Sequence, residues 1–241
     1  MGRGVIHLEW VDEHIAQLRL DNPRARNAMS YAMMLQLEEH CTKIVSNARV
    51  VIISSTGAKS FCAGGDLQDV RTSLLSKESA QEMNVRMSKA LNSFREHNIT
   101  TIVTLNGPAV GGGAELTTYG DVVFAHPDAF IAFVHAKLGV SPGWGGAMRL
   151  LEKVGTHRAR QCLLLAQKIT AQKGVDIGLI DGINADPDAE AIALAKRLVS
   201  YPEESVDRIY SWLEEPSSHQ ETEMFLSLWG GNAHRKALGI K

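Results

Sequence analysis

Several common signals are missing from this chain, and each absence narrows what it does. Cysteine is scarce: Cys41, Cys62 and Cys162 are the only three, and no two are close in sequence. That pattern gives no disulfide framework and fits reduced thiols. There is no C-x-x-C, and the nine histidines include no H-x-x-x-H pair. The usual metal-ligand spacings are therefore lacking, and no metal is expected. No apolar run approaches the roughly 18 residues of a membrane span. Neither sign of charge dominates: the formal net charge is −2, so nothing favours nucleic acid or an anionic membrane as a partner. The start of the chain, Met1-Gly2-Arg3-Gly4-Val5, passes straight into strand pattern without an apolar signal segment. A cytoplasmic location is the expectation. No internal repeat and no composition shift marking a linker is detectable.

What remains is an ordinary globular composition, 44% hydrophobic and 22% charged, over 241 residues. That length suits one large domain or two small ones. Val5 to Trp10 and Ile15 to Leu20 read as a hairpin. In its second strand Ala16, Leu18 and Leu20 alternate with Gln17, Arg19 and Asp21, which predicts one wet face. A polar loop, Asn22 to Asn27, leads to a helix from about Ser30, a residue suited to the N-cap. Its apolar positions Met34, Leu37, Cys41 and Ile44 fall at helical spacing. Val50 to Ile53 is a β-branched run suited to a buried strand. Gln68 to Lys77 reads as a polar connection. An amphipathic helix follows, with Ala80, Met83, Met87, Leu91 and Phe94 on one side. Thr101 to Leu105, Val122 to Ala125 and Ala129 to Val134 are further strands. From Gly145 onward the pattern is helical. Asp186-Pro187 opens a helix with a cap and proline at its first position, and Glu203 to Leu213 and Glu221 to Trp229 are two more.

Two glycine-rich stretches each follow a strand. The first is Ser60-Phe61-Cys62-Ala63-Gly64-Gly65-Asp66-Leu67. The second is Asn106-Gly107-Pro108-Ala109-Val110-Gly111-Gly112-Gly113-Ala114-Glu115-Leu116. Three consecutive glycines at a helix start disfavour the helix by roughly 1 kcal/mol each relative to alanine. What they provide is bare backbone N–H groups open to an anionic oxygen. The same glycines also fit a turn that needs only close packing, and the stretch alone does not choose between these readings.

The two stretches together, with Leu20 to Met29 and Leu138-Gly139-Val140-Ser141-Pro142-Gly143-Trp144-Gly145-Gly146, resemble the crotonase (enoyl-CoA hydratase/isomerase) superfamily in order and spacing. The resemblance implies an α/β fold: a crotonase (ClpP-like) spiral of strand-strand-helix units over residues 1–185, and a C-terminal helical region over 186–241. It implies that this tail packs trimers, or pairs of trimers, and covers an active site. It also implies an acyl-CoA thioester as partner, with coenzyme A part of the substrate and no separate cofactor. In this family two backbone N–H groups hold the thioester oxygen as it becomes an enolate. By position those donors are Gly65 and Gly112, within substrate-contacting segments Ala63, Gly65, Asp66, Leu67 and Gly111, Gly112. Arg24, Ala25 and Arg26 match the loop that meets the nucleotide end of CoA, where arginine pairs well with phosphate. Asp66 is expected to cap its own loop; Asp121 and Arg149 are expected to be structural.

Hydratases of this family carry two glutamates twenty residues apart. Glu115 matches the first, but the second position holds His135. Paired-carboxylate activation of water is thereby put in question. The segments around Glu115, His135 and Trp144, with Leu228-Trp229-Gly230-Gly231, look closest to the ethylmalonyl-CoA decarboxylase branch. The implied activity is a carbon–carbon lyase, decarboxylating ethylmalonyl-CoA or methylmalonyl-CoA. His135 would contact the substrate carboxylate or donate a proton, and Glu115 would orient or protonate. The alternative is an enoyl-CoA hydratase/isomerase of fatty-acid metabolism. A third reading is a non-catalytic homologue that binds CoA esters or RNA; the near-neutral charge and the retained Glu115 and glycine loops weigh against it.

Overall fold

A computed structural model describes residues 4–240. The chain divides into two compact units, residues 1–195 and 196–241.

The first unit is built on a six-stranded sheet whose spatial order is β1-β2-β3-β4-β6-β9. The expected hairpin forms it on one side: β1 (Val5–Asp12) pairs antiparallel with β2 (Ile15–Asp21). All later pairings in that sheet are parallel, as crossover helices require. Helix α1 (Tyr31–Ile44) crosses from β2 to β3 (Val50–Ser55). Ser30 caps it by accepting from the Met33 N–H. All six residues of β3 are buried, as their β-branched run predicts for a strand covered on both faces.

The second strand is less wet than its alternation predicts. Gln17 is only 2% exposed. Because β2 lies inside the sheet, its second face is covered too, and Gln17 is satisfied by donating to Ser54 Oγ and accepting from Arg19. The polar stretch after Asp66 also differs from its reading as a connection. It forms α2 (Leu67–Ser73), because the Asp66 carboxylate accepts from the Gln68 and Asp69 N–H groups and so caps a helix there. Helix α3 (Lys77–Glu96) buries Met87, Ala90, Leu91 and Phe94 and leads into β4 (Thr100–Leu105).

After β4 come β5 (Ala109–Val110) and the six-residue α4 (Gly112–Thr117), which starts at the glycines themselves. Strands β6 (Val122–Ala125) and β7 (Phe130–Ala132) and helix α5 (Gly146–Leu165) follow. The segment expected to be wholly helical contains two further short strands. These are β8 (Ile169–Thr170) and β9 (Gly182–Ile183), on either side of α6 (Ala171–Ile177). Each is two residues long, too short for a periodic signal, and exists because an edge was open. β8 joins β7 in the small β5-β7-β8 sheet, and β9 completes the large one beside β6. Helix α7 (Pro187–Val199) opens as expected, with Asp186 accepting from the Ala189 N–H. The division between units falls inside it, beyond the soft boundary near 185.

The second unit holds α8 (Glu203–Glu214), α9 (Ser218–Leu228) and α10 (Asn232–Ala237). They surround an apolar groove of about 490 Å³ that includes Ile209, Met224, Phe225, Leu228 and Trp229. Phe225, Leu226 and Trp229 are more than half exposed.

The two glycine loops touch without side chains between them. A Cβ placed on Gly113 would stand 2.1 Å from the Cys62 carbonyl oxygen. Gly113→Ala must therefore push backbone from backbone. We expect it to destabilise the protein by about 1–3 kcal/mol or more, read as a lower urea midpoint at unchanged slope.

Candidate active site

Three loops are laced together by main-chain hydrogen bonds. Ala63 N–H donates to Arg26 O, Met29 N–H to Gly64 O, and Asp66 N–H to Met29 O. Val110 N–H donates to Cys62 O, joining the second glycine loop to the first. Asn27 pins the arginine loop: its side-chain N–H group donates to Thr56 O and Ser60 O, and its carbonyl accepts from Asn22 N–H. Arg26 and Asn27 both take left-handed backbone, at φ 54° and 57°. Arg24, Ala25 and Arg26 are thereby brought beside Ala63 to Asp66. Arg24 and Arg26 lie exposed to solvent. Leu67 is also exposed. The Asp66 carboxylate is occupied by its capping bonds.

Gly65 and Gly112 meet at a third residue. A Cβ on Gly112 would lie 2.4 Å from Trp144 Cζ3, and one on Gly65 would lie 3.9 Å from Trp144 Cζ2. Both missing side chains are thus faced by one indole. Among the described residues, neither the Gly65 nor the Gly112 N–H donates to a protein acceptor. Gly111, at φ 58°, makes the turn that leads into Gly112.

Glu115 and His135 also come together. His135 Nε2 stands 3.1 Å from Glu115 Oε1. Glu115 is 1% exposed and His135 8%. The Glu115 carboxylate accepts three hydrogen bonds, all from backbone: Gly143 N–H at 3.0 Å, Trp144 N–H at 2.8 Å and Gly146 N–H at 3.1 Å. The carboxylate is tied to the 143–146 turn and lies beside the imidazole. The other ring nitrogen, His135 Nδ1, is buried and has no hydrogen-bond partner.

The turn is clamped from its other side as well. Tyr119 donates its hydroxyl to Trp144 O at 2.6 Å, and Thr118 donates to Gly146 O at 3.3 Å. Burial pushes the Tyr119 phenol up to about 12, so it remains a donor across the physiological range. The Arg149 guanidinium lies over the Tyr119 ring, 5.2 Å from its centroid, and donates to Asn92 Oδ1. Asp121 accepts from the Thr101 N–H. Both hold structure in place, as expected. The Cys62 thiol is fully enclosed, and burial pushes it up to about 12; it is not a thiolate nucleophile. Sequence reasoning missed Trp144 and Tyr119 as parts of the site. Their only trace was a bulky aromatic within the glycine-rich turn Pro142 to Gly146.

This chain belongs to the enoyl-CoA hydratase/isomerase family, whose profile matches residues 11–227. Among its relatives are proteins named ethylmalonyl-CoA decarboxylase. The one from Gallus gallus is 30% identical, the alignment covering 98% of this chain and 83% of the relative. The one from Danio rerio is 33% identical, over 99% of this chain and 84% of the relative. The fold is that of an enoyl-CoA hydratase from Bacillus anthracis, with a TM-score of 0.87 at 24% identity, covering 97% of this chain and 94% of the other.

Replacing Glu115 tests whether it holds the turn. Glu115→Ala leaves three buried N–H groups without their acceptor, at ~1–3 kcal/mol for a single unsatisfied group. We expect a loss of stability of roughly 3 kcal/mol or more, measured by chemical denaturation, and a shift in tryptophan emission as Trp144 is released.

Proposed function

We propose that this protein is an acyl-CoA carbon–carbon lyase that decarboxylates ethylmalonyl-CoA or methylmalonyl-CoA. The observation that carries the reading is the pairing of one carboxylate with one imidazole. Glu115 is tied by three backbone donors, and the unpartnered atom of the pair is His135 Nδ1. A second carboxylate at this place would repel a malonyl-type substrate; an imidazole does not. The names of the relatives at 30% and 33% identity support the same reading.

In the proposed reaction the N–H groups of Gly65 and Gly112 hold the thioester oxygen. The bond between the α-carbon and its carboxylate breaks, CO2 leaves, and the electron pair moves through the α-carbon onto that oxygen as an enolate. Preorganised backbone donors suit this developing charge, each worth ~3 kcal/mol. The α-carbon then takes a proton, which His135 supplies from Nδ1 while Glu115 holds Nε2. The saturated acyl-CoA departs. Arg24 and Arg26, exposed beside the first donor loop, meet the phosphates of CoA.

The test is product analysis of purified protein offered ethylmalonyl-CoA, methylmalonyl-CoA and crotonyl-CoA. The expected result is CO2 and the saturated thioester from the first two, with crotonyl-CoA unhydrated. His135→Ala should lower kcat/KM by about 10²–10⁴-fold in a protein that still folds. His135→Glu should suppress decarboxylation strongly. It sets a carboxylate against the substrate carboxylate, a repulsion of ~4 kcal/mol at 4 Å and an effective dielectric near 20. Efficient hydration of crotonyl-CoA with malonyl-type thioesters left intact would overturn the reading in favour of a hydratase/isomerase.

A homotrimer, or a pair of trimers, is the proposed assembly. It is supported by the exposed Phe225, Leu226 and Trp229 of the second unit, a patch that a lone soluble chain rarely presents. Sedimentation at micromolar concentration should return a trimer or hexamer mass, and a monomer would contradict it.

A further inference from the structure

We propose that Trp144 is the specificity-determining wall of the acyl site, limiting the group on the substrate's α-carbon to a short alkyl chain. The inference rests on the reading of Gly65 and Gly112 as the thioester-holding pair.

One edge of the indole spans both glycines, with Cζ3 against Gly112 and Cζ2 near Gly65. An oxygen held by both N–H groups has its carbon ~1.2 Å away, and the α-carbon is one bond further. A substituent on that carbon therefore leaves from within a few ångströms of the glycine α-carbons, where the ring stands. The ring's backbone is held at both ends, its N–H by Glu115 at 2.8 Å and its carbonyl by the Tyr119 hydroxyl at 2.6 Å. Gly146 also sits so close that a Cβ there would be 2.5 Å from Glu115 Cβ. The wall has no backbone slack with which to retreat. Trp144 is 3% exposed, and its indole N–H makes no hydrogen bond within the described residues, nor is it among the buried atoms left without a partner. The ring is held by packing against the glycines and by its tied backbone, not by a polar anchor on the indole.

The test uses two readouts on wild type, Trp144→Phe and Trp144→Leu. The first is the affinity for unreactive saturated thioesters from acetyl-CoA through butyryl-CoA to octanoyl-CoA, by calorimetry. The second is CO2 release from malonyl-CoAs bearing methyl, ethyl, propyl and butyl groups. One methylene in an apolar pocket is worth roughly 10–200-fold. In wild type both series should fall steeply beyond the short chains. In Trp144→Leu the ratio of hexanoyl- to butyryl-CoA affinity should rise about tenfold or more, and Trp144→Phe should move it the same way by less. If the leucine variant does not fold, the phenylalanine variant decides by the same ratio. A chain-length profile unchanged in the folded variants overturns the wall. An altered binding profile without CO2 release from any malonyl-type thioester leaves the wall standing and overturns the decarboxylase reading. Failure of wild type to bind any acyl-CoA overturns both.

Discussion

A single buried carboxylate organises the centre of this protein. Glu115 accepts hydrogen bonds from the Gly143, Trp144 and Gly146 N–H groups and stands 3.1 Å from His135 Nε2. A charge at 1% exposure persists only when its lone pairs are met, and here they are met mostly by main chain. The arrangement works in both directions. The turn would otherwise leave three amides without acceptors, and the carboxylate would otherwise lack solvation. Helix α4, the imidazole and the Trp144 turn are therefore one unit, and displacing any member exposes the others to an unpaired polar group.

This shifts how Glu115 is to be understood. Three fixed backbone donors hold the Glu115 carboxylate in one orientation. The unpartnered atom of the pair belongs to the imidazole, whose Nδ1 has no partner. The substitution of His135 for a second carboxylate therefore does more than remove a base. It places beside Glu115 a group that both donates and accepts where a carboxylate would only accept.

Much of the frame was legible in the sequence, for reasons that differ by element. The hairpin, the Ser30 cap, the β-branched strand at Val50 and the Asp186-Pro187 helix start are local signals, and each appears where it is read. Gln17 was not legible, because its burial depends on β2 being an interior strand, a fact of topology. Nor were β8 and β9, which form because edges were open to them. In the site, Glu115 and His135 were reached by family spacing, and their 3.1 Å approach agrees with that pairing. The backbone donors to Glu115 were not legible, because they lie almost thirty residues further on. Trp144 was hidden for a related reason: a tryptophan in a glycine-rich turn carries no periodicity, and its contacts with Gly65 and Gly112 are wholly tertiary.

The contact between Gly113 and the Cys62 carbonyl has a consequence for how the site can change over evolutionary time. The distance between the two glycine loops is set by main-chain atoms touching main-chain atoms, with a Val110 to Cys62 hydrogen bond as the tie. No side chain enters that measurement, so drift in the surrounding core has little leverage over it. The gauge between the loops is inherited almost as a bond length is. His135 and Trp144 reach the site from elsewhere in the chain, so a change of side chain at either leaves the spacing of the two loops as the main chain sets it.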